Sequence, residues 1–160
     1  YLYIGRLNTI KNLDNLISIF NNLDGYFLTI VGSGKEEKEL KKIKNKNINF
    51  INSVKNTEIY KIFNKNDIFI LPSLIEPWGL VVEEALYFNT PVIISKNCGA
   101  RDLIENDVNG YLIDPLDVSS ITKAIMNIDI STYERLKKST NPKDINKKDK
   151  HQIQVYSNVI

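Results

Sequence analysis

Two glutamates, Glu76 and Glu84, are separated by seven residues in the stretch Glu76-Pro77-Trp78-Gly79-Leu80-Val81-Val82-Glu83-Glu84. Carboxylates accept hydrogen bonds from hydroxyls. Between the two lies a helix start, with Pro77 suited to its first turn because the missing N–H costs nothing there, and Gly79 able to admit close approach to the backbone. The free N–H groups of a helix start attract anions. Arg6 and Lys11, far upstream, add two cations: arginine grips phosphate oxygens in pairs, and lysine acts as a point charge. Joined together, these residues would suit a ligand that carries both a diphosphate and sugar hydroxyls. Taken singly, each has a plainer role. Glu76 could cap a helix or oppose its dipole, Glu83 and Glu84 could form a solvated face, and Arg6 and Lys11 could be surface cations. The chemical reading depends on the fold bringing them to one place.

The intervening pattern is suited to doing that. Apolar runs at 1–5, 26–31, 48–51, 67–71, 92–95 and 111–113 read as strands. Between them come segments with helical spacing. Asn12 can cap a helix with Leu13, Leu16, Ile17, Phe20 and Leu23 on one face, ended by Asp24-Gly25. Residues 36–45 form a charged helix with Leu40 and Ile43 inward, and 57–64 a helix with Ile59, Ile62 and Phe63 inward. Pro72 ends the fourth strand, and 80–87 is the helix that carries Glu84. A short helix over 101–105 follows Cys98-Gly99-Ala100, and Asp117 can cap a helix over 118–128 facing inward through Ile121, Ala124, Ile125 and Ile128.

Strands that are apolar runs, alternating with helices, indicate a parallel sheet covered on both faces. The expected fold is α/β, a doubly wound, Rossmann-like parallel sheet of about six strands, with ligands bound at the strands' C-terminal ends. Arg6, Lys11, Gly32, Gly34, Val54, Glu76 and Glu84 all fall in loops or helix starts at that edge. No Gly-x-Gly-x-x-Gly follows the first strand, so a dinucleotide fingerprint is absent. The pattern weakens after residue 130. Residues 131–160 read as a helical tail, broken at Asn141-Pro142, with a final helix over 144–160.

Composition narrows the function. The chain has 160 residues, 42% of them hydrophobic, with a net charge of +2. That suffices for one domain with a core and gives no reason to expect nucleic-acid binding. The lysines of 35–46 alternate with Glu36, Glu37 and Glu39, as on a solvated helix face. Cys98 is the single cysteine, which fits a reducing, cytoplasmic compartment. No apolar run approaches a membrane span of ~20 residues. A chain that opens directly on a strand, without methionine, reads as a piece of something longer. His151, the single histidine, falls in the tail and reads as a surface residue.

Gly5-Arg6-Leu7 with Lys11, the Glu76–Ala85 stretch with its Pro-Trp-Gly-Leu, Thr90-Pro91-Val92-Ile93 and Asn109-Gly110 together resemble the C-terminal, donor-binding domain of the retaining group-one glycosyltransferases. The resemblance spans roughly residues 1–130. It implies the C-terminal half of a two-domain GT-B fold, with a partner N-terminal domain that is absent from this chain and binds the acceptor. It implies transfer of a sugar from a UDP- or GDP-sugar to a sugar or lipid acceptor, in polysaccharide, lipopolysaccharide or glycolipid synthesis, in the cytoplasm or at the inner face of a membrane. By resemblance, Arg6 and Lys11 hold the donor diphosphate and Glu76 lies near the donor sugar, which makes these three the catalytic set. Glu84 takes the ribose hydroxyls, the amides of Gly79, Leu80 and Val81 meet sugar or phosphate, Val54 lies near the base, and Gly5, Gly32 and Gly34 line the donor site. No cofactor or metal is implied. The family often has Gly-Gly where this chain has Cys98-Gly99, and Cys98 reads as a packed thiol. The alternatives are a sugar-nucleotide epimerase of related fold and a non-catalytic nucleotide-binding module.

Overall fold

The computed structural model describes residues 1–140. Six strands form one sheet: β1 (Leu2–Ile4), β2 (Leu28–Val31), β3 (Ile48–Ile51), β4 (Phe69–Leu71), β5 (Val92–Ser95) and β6 (Gly110–Ile113), in the order β3-β2-β1-β4-β5-β6. Every pairing is parallel. The expectation of a doubly wound parallel sheet therefore holds. Its physical origin is visible in the burial: Phe69, Ile70 and Leu71 of β4 and Val92, Ile93 and Ile94 of β5 are all buried, as strands covered on both faces must be.

Among the described residues six α-helices accompany the strands: α1 (Leu13–Asn21), α2 (Glu37–Ile43), α3 (Ile59–Phe63), α4 (Leu80–Tyr87), α5 (Val118–Met126) and α6 (Ile130–Ser139). Strand order runs outward in opposite directions from β1 and β4. Right-handed crossovers therefore place α1 and α2 on one face and α3 and α4 on the other, and α5, after β6, returns to the face of α1. α1 packs between α2 and α5, and the Tyr1 hydroxyl donates to Ile125 O in α5. On the other face Phe63 stacks on Phe88 with ring centroids 5.4 Å apart. α6 carries the start of the expected tail; its Leu136 is buried and Thr140 bonds the side-chain amide of Asn89. The final helix expected over 144–160, and His151, lie outside the described residues.

Several local expectations change. Ile43 is 49% exposed, not inward. It is the last residue of a helix lying over the edge of the sheet, where only Leu40 reaches the core. Asn12 stands at the N-terminal cap position of α1 but in the left-handed conformation (φ 58°), and its side chain caps nothing there. Pro77 does not open α4: the cap is Gly79, at φ 93°, and Pro77 lies in the loop before it. The short helix after β5 is a 3-10 turn over Gly99–Leu103. Asp117 does cap α5, accepting from the Ser119 amide at 2.8 Å. Of the residues expected inward on that helix, Ile121, Ala124 and Ile125 are buried, and Ile128, two residues past its end, is half-buried.

Candidate active site

All six strands end at one edge, and the strand order reverses between β1 and β4. This is the point at which open α/β sheets bind ligands. The two strands pair at Leu2↔Phe69 alone, against three residue pairs between β1 and β2. Their C-terminal ends are thus not laddered to each other, and the loops that leave them flank the candidate site.

The loop after β1 is held on both sides. Towards β2, the Gly5 amide donates to Val31 O and the Leu7 amide to Ser33 O, and the Glu36 amide donates to Leu7 O. Gly32 and Gly34 permit this approach. A Cβ on Gly32 would sit 1.9 Å from Gly5 O, and one on Gly34 2.2 Å from Leu7 O. Within the loop, the buried Tyr3 hydroxyl donates to Arg6 O at 2.9 Å, and a Cβ on Gly5 would meet that hydroxyl at 2.7 Å. Burial, and then the Glu76 carboxylate, holds the Tyr3 phenol well above its ordinary range, so it stays a donor. Towards β4, the Leu74 amide donates to Ile10 O. Asn12, buried, donates from Nδ2 to Pro72 O at 3.3 Å and Pro115 O at 2.8 Å. Asparagine tolerates its left-handed backbone, and the side chain sends Nδ2 across to the loops after β4 and β6 while Oδ1 accepts from Asn15 Nδ2 in α1 at 2.8 Å.

Lys11 and Glu76 meet. The Lys11 ammonium is ion-paired with Glu76 Oε2, and the two side chains are only 12% and 14% exposed. Arg6, in the same loop as Lys11, is exposed and makes no ion pair among the described residues. Of the two cations, the structure therefore engages one with a carboxylate inside the protein and leaves one facing outward.

The signature loop is seated on the loop after β5. The Gly99 amide donates to Glu76 O at 2.9 Å and the Ala100 amide to Trp78 O at 2.8 Å. Cys98 is buried and its thiol donates to Trp78 O. Burial pushes that thiol upward, away from the reactive thiolate, in keeping with a packed role. A Cβ on Gly99 would lie 2.1 Å from Pro77 O, and one on Gly79 2.9 Å from Cys98 Sγ. The close approach that Gly79 allows is thus with its own chain.

α4 presents the groups expected of it. The Val82 amide bonds Gly79 O, while among the described residues the amides of Leu80 and Val81 have no protein acceptor. Glu83 receives the indole N–H of Trp78. Glu84, half-buried, has no side-chain partner among the described residues. Burial, then the neighbouring Glu83, raises its carboxyl above the ordinary value. Val54, in the loop after β3, packs partly buried against the core. Ser33 and Ser53, from the loops after β2 and β3, share a hydroxyl contact of 3.1 Å.

The site residues missed by the sequence reading are Tyr3, Asn12, Trp78 and the Cys98-Gly99 pair as a seat. Trp78 carried a signal as part of the Pro-Trp-Gly-Leu stretch, and Gly99 as the glycine retained where the resemblance expects two. The loops after β1 and β4 also carry two buried oxygens without a protein partner, Asn8 Oδ1 and Ser73 Oγ. Beside Glu76, a cleft of about 340 Å³ is lined by Ile75, Glu76, Pro77, Asn97, Cys98, Gly99, Arg101 and Asp102.

A doubly wound sheet with a cation, an ion-paired carboxylate and uncapped helix amides at its switch point defines an α/β domain whose groups there can meet anions and hydroxyls. The sequence profile of the family described as glycosyl transferases group 1 matches residues 1–148, and the chain belongs to that family. An uncharacterized glycosyltransferase of Haemophilus influenzae is 32% identical over 135 residues, covering 78% of this chain and 37% of that protein. Two solved structures share the fold. The C-terminal domain of a group 1 family glycosyl transferase, LpcC, from Francisella tularensis has a TM-score of 0.75 at 23% identity, over 87% of this chain and 80% of that one. Anabaena Alr3699/HepE, solved in complex with UDP and glucose, has a TM-score of 0.79 at 20% identity, over 96% of this chain and 47% of that one. The chain thus spans well under half the length of its Haemophilus relative. Among the described residues no helix is long and apolar enough to cross a membrane.

Proposed function

We propose that this chain is the donor-binding half of a retaining glycosyltransferase, which moves a sugar from a nucleotide diphosphate sugar to an acceptor in polysaccharide, lipopolysaccharide or glycolipid synthesis. The observation that carries this reading is the meeting of Lys11 with Glu76 at the switch point, beside the open amides of α4. Breaking a glycosyl–phosphate bond develops negative charge on the departing diphosphate and positive charge on the sugar carbon. Arg6, Lys11 and the Leu80 and Val81 amides would face the first. Fixed donors of this kind contribute about 3 kcal/mol each and do so without a metal ion. Glu76, held by Lys11 through Oε2, keeps Oε1 for the sugar. Its role is positional and electrostatic rather than nucleophilic. Glu84, unpartnered and partly desolvated, would accept the ribose hydroxyls, and the backbone around Val54 would meet the base. The Anabaena neighbour's complex with UDP and glucose supports a donor of the same class. A second domain would supply the acceptor site, with a sugar or lipid acceptor.

The test is titration of the chain with UDP, GDP and ADP by ligand-observed NMR, alongside Glu84→Ala and the double variant Arg6→Ala/Lys11→Ala. One nucleotide diphosphate is expected to bind, about tenfold more weakly to Glu84→Ala and undetectably to the double variant. Binding that both variants leave unchanged, or no binding to a chain shown to be folded, would overturn the reading.

A further inference from the structure

Tyr3 stands in the middle of β1, paired with Ile30 of β2, and is fully buried. Phenylalanine would fill that space equally well. The hydroxyl is the part that packing does not require, and a buried hydroxyl must find a partner. It finds one three residues along its own chain, donating to Arg6 O at 2.9 Å. The loop folds down over the phenol to make this bond, and a Cβ on Gly5, the residue between, would meet the hydroxyl at 2.7 Å and Cζ at 3.2 Å. Burial, and then the Glu76 carboxylate, keeps the phenol protonated.

Among the described residues, this is the one hydrogen bond that Arg6 makes. Its neighbours are pinned separately, the Gly5 amide to Val31 O and the Leu7 amide to Ser33 O, each at 3.0 Å. The Arg6 peptide between them is therefore oriented by Tyr3. The direction of a side chain at its root follows from its backbone, so the same bond sets the direction in which the exposed Arg6 side chain leaves the loop. Lys11 has no such dependence, because Glu76 holds its ammonium directly.

We propose, on the donor reading given above, that Tyr3 is a positioning residue for the diphosphate: its hydroxyl fixes the Arg6 peptide and so aims the guanidinium at the phosphate oxygens. An arginine whose backbone is already fixed loses less freedom on binding than one on a loose loop, and paired contacts with phosphate oxygens demand a set direction more than a point charge does. Tyr3 touches no ligand and acts through Arg6 alone.

Binding of UDP and GDP is measured by calorimetry to the wild-type chain, Tyr3→Phe, Arg6→Ala and Tyr3→Phe/Arg6→Ala, and to Glu84→Ala with and without Tyr3→Phe. Each variant is first shown to be folded by near-ultraviolet circular dichroism, and Tyr3→Phe keeps the buried ring. Tyr3→Phe is expected to weaken the nucleotide that binds about fivefold. On the Arg6→Ala background, which keeps Lys11 and so keeps measurable binding, the same change should have an effect below about twofold. On the Glu84→Ala background the full loss should persist. A general loosening of the domain would weaken binding in all three backgrounds alike. Unchanged affinity in Tyr3→Phe, or an equal loss with and without Arg6, would overturn the positioning role while leaving the donor reading intact. Failure of UDP and GDP alike to bind the folded wild-type chain would overturn both.

Discussion

The two halves of the sheet edge are fixed by similar means and offer different chemistry. Around β1 to β3, backbone lies directly on backbone: Gly32 on Gly5, and Gly34 on Leu7. The loop is thereby held largely by backbone, with the Tyr3 hydroxyl on Arg6 O, and the Arg6 side chain is left facing outward. Around β4 to β6, Gly99 on Pro77 and Gly79 against Cys98 do the same for the signature loop. Here, however, the functional groups are carboxylates, and two of them are already engaged: Glu76 by Lys11 and Glu83 by Trp78. A cation can wait in water at little cost. A carboxylate that must point in one direction needs a partner to hold it, and the partner for Glu76 comes from the other half. The lesson is that the Lys11–Glu76 pair and the Asn12 amide are the joints between two otherwise self-contained loop systems.

Breaking the backbone seat should have the largest effect. Gly32→Ala is expected to cost about 3 kcal/mol or more, because φ is 144° and the new Cβ would meet Gly5 O at 1.9 Å. Gly25→Ala is the control: φ is 81° but nothing lies within 4 Å, so only the left-handed strain of about 1 kcal/mol remains. Urea denaturation of the two variants checks the difference. Equal losses would mean that conformational strain alone, and not the seat, accounts for Gly32.

Cutting the joint should rank next. Lys11→Met leaves a largely buried Glu76 carboxylate unpaired, at a cost of about 2–3 kcal/mol. Adding Glu76→Gln should recover most of it, since the orphaned charge is gone. A double-mutant cycle in urea measures this coupling, and strictly additive losses would show that the two halves do not depend on the pair.

The smallest effect concerns Glu84 and sharpens the contrast between a held and a waiting carboxylate. Its folded pKa lies above its ordinary value of 4.5, through burial and then Glu83. Ionisation therefore opposes folding: the penalty is full above the folded pKa and disappears as pH falls towards 4.5. Glu84→Gln should be slightly more stable than wild type at pH 7 and equal to it below about pH 4.5. If Glu84 takes ribose hydroxyls as a carboxylate, nucleotide affinity should also fall as the pH drops through its raised pKa, and this dependence should vanish in Glu84→Gln. Thermal melts and titrations across pH 4 to 8 check both parts.

Much of this was legible in residue order. β5 falls where its apolar run places it, because such a strand is buried on both faces and leaves no alternation to misread, and α4 falls where helical spacing places it. Glu76, Glu84, Arg6 and Lys11 could be assigned to one edge because a parallel sheet sends every βα loop there. What failed was local geometry that depends on distant backbone. Asn12 occupies a cap position, yet its amide is drawn to Pro72 and Pro115, 60 and 103 residues away. Ile43 continues the helical stripe but has no neighbour beyond the sheet edge to bury it. Pro77 satisfies a helix-start rule, yet Gly99 holds it in a loop.

By itself the sequence determined the class of fold, the edge that carries the candidate site residues, and the residue types available there, since these follow from periodicity and from the direction of parallel strands. Tertiary structure alone decided which groups are paired and which are open. That Lys11 is spent on Glu76 while Arg6 is not, that Glu84 waits unpartnered, and that Cys98 and Gly99 form the seat of the signature loop, are consequences of loops 20 to 65 residues apart meeting at contact distance. The energies that choose among such contacts are desolvation and backbone overlap, and neither is defined until the chain has closed.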